Sequence, residues 1–498
     1  MFENWFQKLS SNRKKDTSMG MLLKTAGHSG DFIRFYNGNT PTPFWISYFK
    51  SLIDPNVLHR DILAYLKKQS FHSLDELKAM VSVEEVIVIG DLDEIQNKLY
   101  DGYVMIQFHE HDKKCALIKA GKKKHRQIDV SEVEFTVIGP KQAFVESLDT
   151  NLNLIRQRLP VPQLVFKEVL VGKLTKTKVI VAFIDGIADE ENVNTMVQRL
   201  SDIEFDEVVD VSILQQIIND NSKSVFPQYL NTEKPDRVAS LLGEGKVAVL
   251  SEGSSQVFTA PTSYFEMFVS QEDYYIPWVV GSFFRVLRFF SIFFSVVATP
   301  MYVAVLTYHY EMIPADMLST LISSRTAIPF PPVAEVLFME LTIELLREAG
   351  ARLPTKVGQT LGIVGGIVIG QAAVAAGLTS NVLLIIVALA ALASFTTPDY
   401  KMANSIRLIR FPFIICAALW GGLGIVFCFC FFIIHLLRLT SLGRPYFSPF
   451  YPPRAWDFRD SFIRLAFNKL HKRPFHLQTE DQLRFNPKRA NRKKDIDE

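Results

Sequence analysis

Long apolar runs are confined to residues 282–437, while polar and apolar positions are mixed on either side. Residues 289–309, FFSIFFSVVATPMYVAVLTYH, contain no Asp, Glu, Lys or Arg, and about 20 such residues cross a bilayer core as a helix. Pro300 inside the run is tolerable in a membrane helix and can kink it. Runs 357–377, 380–397 and 411–437 have the same character, and the short gap between the second and third predicts a helical hairpin. Four runs so close together argue against core helices of a soluble domain. Four crossings would put both polar ends on one side. Arg285 and Arg288 before the first run, and Arg438, Arg444 and Arg454 after the last, then mark that side as cytosolic. Lys401, Arg407 and Arg410 in the 398–410 loop run against this assignment.

Between the first two runs lies PPVAEVLFMELTIELLREAG, residues 331–350, helical in pattern but too charged for lipid. Glu340, Glu344, Arg347 and Glu348 fall on one face, and Arg347 can pair with Glu344 and Arg352 with Glu348. An isolated charge at the bilayer centre costs about 2.5–3.5 kcal/mol on insertion scales, so this face does not look into lipid. Two readings are open. Residues 332–349 form an interfacial helix whose acids meet water and headgroups, or Glu340, Glu344 and Glu348 line a water-filled vestibule that attracts cations. The second needs several copies of the chain.

The 357–377 run carries a stripe of small residues, Gly358, Gly362, Gly365, Gly366 and Gly370, which lets helix backbones approach closely in lipid. Val364 and Ile367 are branched and apolar, and are candidates for a gate that narrows a pore by dewetting. A close-packed helix with no pore accounts for the same pattern.

The N-terminal region alternates strand-like and helix-like segments. Residues 101–121 and 244–261 each read as an acidic residue, Gly, strand, polar turn and strand, which suggests an internal duplication. Residues 178–186 read as a buried strand and 191–203 as a helix. The predicted fold class is thus a soluble α/β region of two subdomains followed by an α-helical polytopic membrane domain of about four spans. The expected boundaries are a loosely ordered tail at 1–45, subdomains at 46–135 and 136–280, the membrane domain at 281–437, and a basic cytosolic tail at 438–498. The N-terminal residues hold no apolar stretch long enough for a signal peptide, so the large N-terminal region is expected in the cytosol.

Charge and chemistry narrow the field. The net charge of +2 gives no reason to expect a nucleic-acid partner. Cys115, Cys416, Cys428 and Cys430 are no disulfide framework, and three of them lie in apolar runs. No phosphate-cradling loop, nucleophile elbow or zinc-protease motif occurs, so neither an enzyme nor a cofactor is expected. The sequence HEHD at 109–112 could hold metal on one strand face, but it sits at an expected turn and no metal site is assigned to it. The basic run at 122–126 reads as a solvated edge before it reads as a phosphate contact.

Several long segments resemble the A subunits of bacterial spore germinant receptors, the GerA family. They are GPKQAFVESLDTNLNLIRQRL (139–159), TEKPDRVASLLGEGKVAVL (232–250), EDYY (272–275), PFPPVAEVLFMELTIELLREAGARLP (329–354), GQTLGIVGGIVIGQAAVAAGLTS (358–380) and RPYFSPF (444–450). Departures are Lys234, where the family often has Arg, and the turn at 251–256. The resemblance implies a multi-pass protein of the spore inner membrane that works with a transporter-like B subunit and a lipoprotein C subunit. It further implies a homo-oligomer that conducts cations when nutrient binds. A non-conducting scaffold for the transporter-like subunit, or an accessory channel subunit of the dipicolinate-release machinery, are the alternatives.

Overall fold

The computed structural model describes residues 19–485 except 82, 84, 111, 122–133, 135, 353–367 and 455–456. Short runs rich in Val and Ile build the first α/β unit: β1 (Phe32–Asn37), β2 (Phe44–Phe49), β3 (Val86–Ile89), β4 (Tyr103–Gln107) and β5 (Cys115–Lys119). They form one antiparallel sheet in the order β1-β2-β4-β5-β3. Alternate residues face opposite sides of a sheet, and both sides are covered. Val104, Ile106 and Ile118 pack against the helical segment at 57–66. Met105 and Leu117 pack against α1 (Met19–Gly27) and α2 (Leu92–Tyr100).

The second unit repeats this plan. Its helices are α3 (Leu148–Arg158), α4 (Glu190–Ser201), α5 (Val211–Ile218) and α6 (Pro235–Glu244). Strands β6 (Leu164–Val171), β7 (Thr177–Ile184), β8 (Leu230–Thr232), β9 (Val247–Ser251) and β10 (Val257–Ala260) are ordered β6-β7-β9-β10-β8. Adding five to each strand number of the first sheet gives the second, so the two units share one topology. In both, a helix ends at an acidic residue and a left-handed glycine, Gly102 (φ 83°) or Gly245 (φ 101°), and leads into the central strand. Glycine alone takes this backbone region without strain. The repeated segments read from the sequence at 101–121 and 244–261 are these β4–β5 and β9–β10 pairs.

A buried ion pair joins the units. Arg156 of α3 donates to both carboxylate oxygens of Asp31 at 2.6 and 2.7 Å and to Ser29 Oγ at 2.8 Å. Phe49 and Phe166 contribute ring faces to the guanidinium at 4.4 and 4.7 Å. Order therefore begins earlier than the sequence reading expected. Residues 19–37, assigned there to a loose tail, supply α1 and an edge strand, because Met19, Leu22, Leu23 and Ala26 are needed to cover the first sheet.

The helical part starts at α7 (Trp278–Thr307), with Pro300 inside it, and continues with α8 (Ala315–Arg325), α9 (Pro332–Ala351), α10 (Asn381–Ser394) and α11 (Tyr400–Arg438). Among the described residues, α7 and α11 are long and apolar enough to cross a membrane. Residues 368–375 are helical, and the rest of the predicted 357–377 span lies mostly outside the described residues.

Helix α11 departs from the expected single crossing over 411–437. Gly421 interrupts it at φ 59°, ψ −138°, a conformation that only glycine adopts readily. The two arms fold back on each other: Phe413 stacks on Phe432 with ring centroids 5.7 Å apart, and Cys416 meets Cys428. In a straight helix the two phenylalanines would be about 28 Å apart. At the bend, Tyr308 donates to the carbonyls of Ala418 and Leu419, and the Gly422 N–H donates to His309 Nε2 at 3.1 Å. The other end of the hairpin lies on the second α/β unit, where Lys401 donates to Gln215 and Ser405 to the Val225 carbonyl. Its Lys401 sits with the α/β unit, whereas the sequence reading, with three crossings before it, placed this segment opposite that unit.

The tail folds back as well. Arg464 donates to the carbonyls of Asp273 and Ile276, and Arg484 pairs with Glu244 at 2.7 Å. The fold-back of α11 has a direct chemical consequence. With Cys115 and Cys430 changed to Ser, a short bifunctional thiol reagent should link Cys416 to Cys428 within one chain, read by mass spectrometry of the cleaved peptides. Straight α11 would hold these residues about 18 Å apart and leave both thiols singly labelled.

Candidate functional site

Helix α9 is inside out. Phe338, Leu341 and Leu345 are 45%, 53% and 69% exposed, whereas Glu335 and Glu340 are buried beside Val336 and Met339. Pro332 at its first turn starts the helix without losing a hydrogen bond. A helix in water shows the opposite arrangement. Burying acids while leaving leucines outward suits a helix with an apolar exterior and polar partners within.

Those partners form three rungs over about 13 Å of α9. In the first, Arg325 of α8 reaches Glu335 at 2.7 Å, with the Tyr302–Ser380 hydroxyl pair (3.1 Å) nearby. In the second, Arg410 of α11 donates to Glu340 at 2.6 Å, to Ser295 Oγ of α7 at 2.8 Å and to the Ala390 carbonyl of α10 at 3.4 Å. Glu340 is 1% exposed and Arg410 2%. In the third, Glu344 takes Arg347 at 3.0 Å and Arg407 at 3.5 Å, and Arg347 lies 4.6 Å over the Phe395 ring. Glu348 pairs outside with Arg352. The acids proposed from the sequence as one shared face thus occupy graded environments within a single chain.

The other candidates are less visible. Gly370 is described, and a Cβ there would come within 3.1 Å of a Leu384 methyl, so the glycine admits α10. Gly358, Gly362, Val364, Gly365, Gly366 and Ile367 lie outside the described residues. Sequence reasoning missed Arg410, Arg325 and Ser295. Arg410 directly precedes the apolar run FPFII, and a cation so placed needs an anion close by.

A second concentration of charge sits where the α/β part meets α7. Asp273 accepts from Arg285 and Arg288, at 3.2 and 3.1 Å. Burial alone would raise the Glu266 carboxyl, but Lys246 and His476 more than offset it and bring it down to about 2. Glu266 also closes a capping box with Ser263. Among the described residues no group of acids, histidines or cysteines has the arrangement of a metal site.

Comparison with known sequences places this geometry. A family model described as Bacillus/Clostridium GerA spore germination protein matches residues 21–476. The chain belongs to the GerA family. Spore germination protein GerQA of Bacillus cereus is 49% identical over 477 residues, covering 96% of each chain. Spore germination protein A1 of Bacillus subtilis is 39% identical over 431 residues, covering 86% of this chain and 89% of that one. The crystal structure of the N-terminal domain of the A subunit of the Bacillus megaterium spore germinant receptor GerK3 aligns with 49% of this chain and 94% of its own, at 23% identity and a TM-score of 0.38. GerA membership supports a role in spore germination, and the apolar helices support a membrane location.

The second rung makes a quantitative prediction. Arg410→Met alone leaves Glu340 buried without a cation, a change that typically costs about 3–5 kcal/mol. Arg410→Met with Glu340→Met removes both charges and should recover most of that loss in thermal melts of the detergent-solubilised chain. A double variant as unstable as the single one would mean that the pair is not the interaction holding these helices.

Proposed function

We propose that this chain is the A subunit of a nutrient germinant receptor in the spore inner membrane, and that several copies assemble into a cation path that opens when nutrient binds. A transporter-like B subunit and a lipoprotein C subunit are the partners in this reading, and the α/β units and the tail lie in the cytosol. The observation that carries it is the charged ladder of α9, held among apolar helices in a GerA-family chain. With the predicted 357–377 span counted as one crossing, α7, α9, α10 and the two arms of α11 would bring the passes to six, which supports both polar ends on one side. In the assembled complex, Glu344 and Glu348 are the acids that would front a shared vestibule, with Glu340 closing against Arg410 above them. The glycines at 358, 362, 365 and 366 would bring copies or neighbouring helices together, and Val364 and Ile367 would form the gate.

One observation favours a second reading. Glu335 and Glu340 each meet an arginine of the same chain, at 2.7 and 2.6 Å, as structural braces do. A non-conducting scaffold that organises the transporter-like subunit would need only that. A place in the dipicolinate-release machinery is a third assignment compatible with the same architecture.

Two measurements separate these readings. If branched side chains close the path by excluding water, spores carrying Val364→Ala should germinate without nutrient. Dormant spores with wild-type protein levels would rule out a gate at that position. In planar bilayers, Glu344→Gln should lower single-channel cation current more in dilute than in concentrated KCl, since salt screens fixed charge. Equal currents at both concentrations would take Glu344 out of the path, and silence of the wild-type chain across lipids and partners would favour the scaffold.

A further inference from the structure

One loop of the second α/β unit reaches both arms of the α11 hairpin at its open end. Residues 219–229 follow α5 and lead into β8. The Val225 carbonyl accepts from Ser405 on the first arm. The adjacent Ser224 Oγ lies 2.9 Å from His435 Nε2 on the second arm. Phe226 is buried against the second arm, stacked on His435 at 5.9 Å and edge-on to Phe432 at 6.4 Å. Asp220 holds the chain just beyond the second arm, accepting from Thr440 Oγ1 and, at 2.8 Å, from the Gly443 N–H. Three consecutive residues of one short loop thus contact both arms.

We propose that residues 219–229 are the coupling element through which the second α/β unit sets the spacing of the hairpin arms. The first arm carries Arg410 one and a half turns beyond Ser405, about 8 Å along the helix. Movement of the loop therefore passes along a rigid helix to the Arg410–Glu340 pair. Phe226 anchors the loop on the second arm, with Ser224 gripping that arm and Val225 the first. The consequence for gating rests on the conducting role proposed above, but the coupling itself is a matter of distance.

Spin labels at Leu408 and Leu437, both exposed and near the inner ends of the arms, report that distance in the full chain reconstituted in lipid, with its four native cysteines changed to alanine. Phe226→Ala should at least double the width of the distance distribution. Val209→Ala, an exposed position of the same unit, should leave it unchanged. Ser224→Ala removes only the second grip and should widen the distribution less; it carries the test if Phe226→Ala fails to fold. Distributions as narrow as wild type in a folded Phe226→Ala chain, or in Ser224→Ala where that chain does not fold, would overturn the coupling, whatever the current. Widened distances with bilayer currents identical to a conducting wild type would instead remove the consequence for gating and leave the coupling standing, and a silent wild-type chain would remove the conducting role alone.

Discussion

A guanidinium and a carboxylate that share an apolar interior must stay together, because separating them leaves each as a bare charge in a medium that cannot solvate it. Arg410 and Glu340 are in that position, and the helical domain is arranged around them. Arg410 comes from α11, Glu340 from α9, Ser295 from α7 and the Ala390 carbonyl from α10, so one pair ties four helices. The pair also accounts for the inverted face of α9. With its acids committed to partners inside, the helix can turn Phe338, Leu341 and Leu345 outward. In lipid the hydrophobic effect does little to join helices, and such polar contacts, together with close packing, specify which helices meet.

The α/β part solves a different problem. Two units of one topology are held edge to edge by Arg156 and Asp31, and the second carries the contacts to the helices described above. The contacts it makes beyond the shared plan are the ones at the membrane end: the 219–229 loop on the hairpin, the Asp273 cluster at the base of α7, and the returning tail on Glu244 and Glu266. An ionic junction of this kind gives geometry in place of adhesion. Each carboxylate faces a cation from another element, so a shift of one element is felt by the others.

The sequence made the apolar helices and the α/β class legible, because periodicity and run length are local properties. It also carried the duplication, through the acidic–glycine step that starts each central strand pair. Two features were hidden for physical reasons. A single glycine turned one long apolar run into a hairpin, and Gly421 looks in sequence like its neighbours Gly422 and Gly424. The partners of the α9 acids come from positions up to 70 residues away, beyond the reach of helix-face arguments, so Glu340 was visible and Arg410 was assigned to a loop. Residues 19–37 were expected to be loose because Ser, Lys and Gly among them masked the four apolar positions that cover the first sheet.

The central claim is that α9 sits among the apolar helices with its acids inward and its leucines toward lipid. Single spin labels at Phe338, Leu341 and Leu345, in the chain reconstituted in liposomes, test it through collision with dissolved oxygen and with a water-soluble nickel chelate. All three labels should be accessible to oxygen and shielded from nickel, with labels at Val336 and Met339 shielded from both. Strong nickel accessibility at Leu341 and Leu345 would place this helix at the aqueous surface and contradict the account.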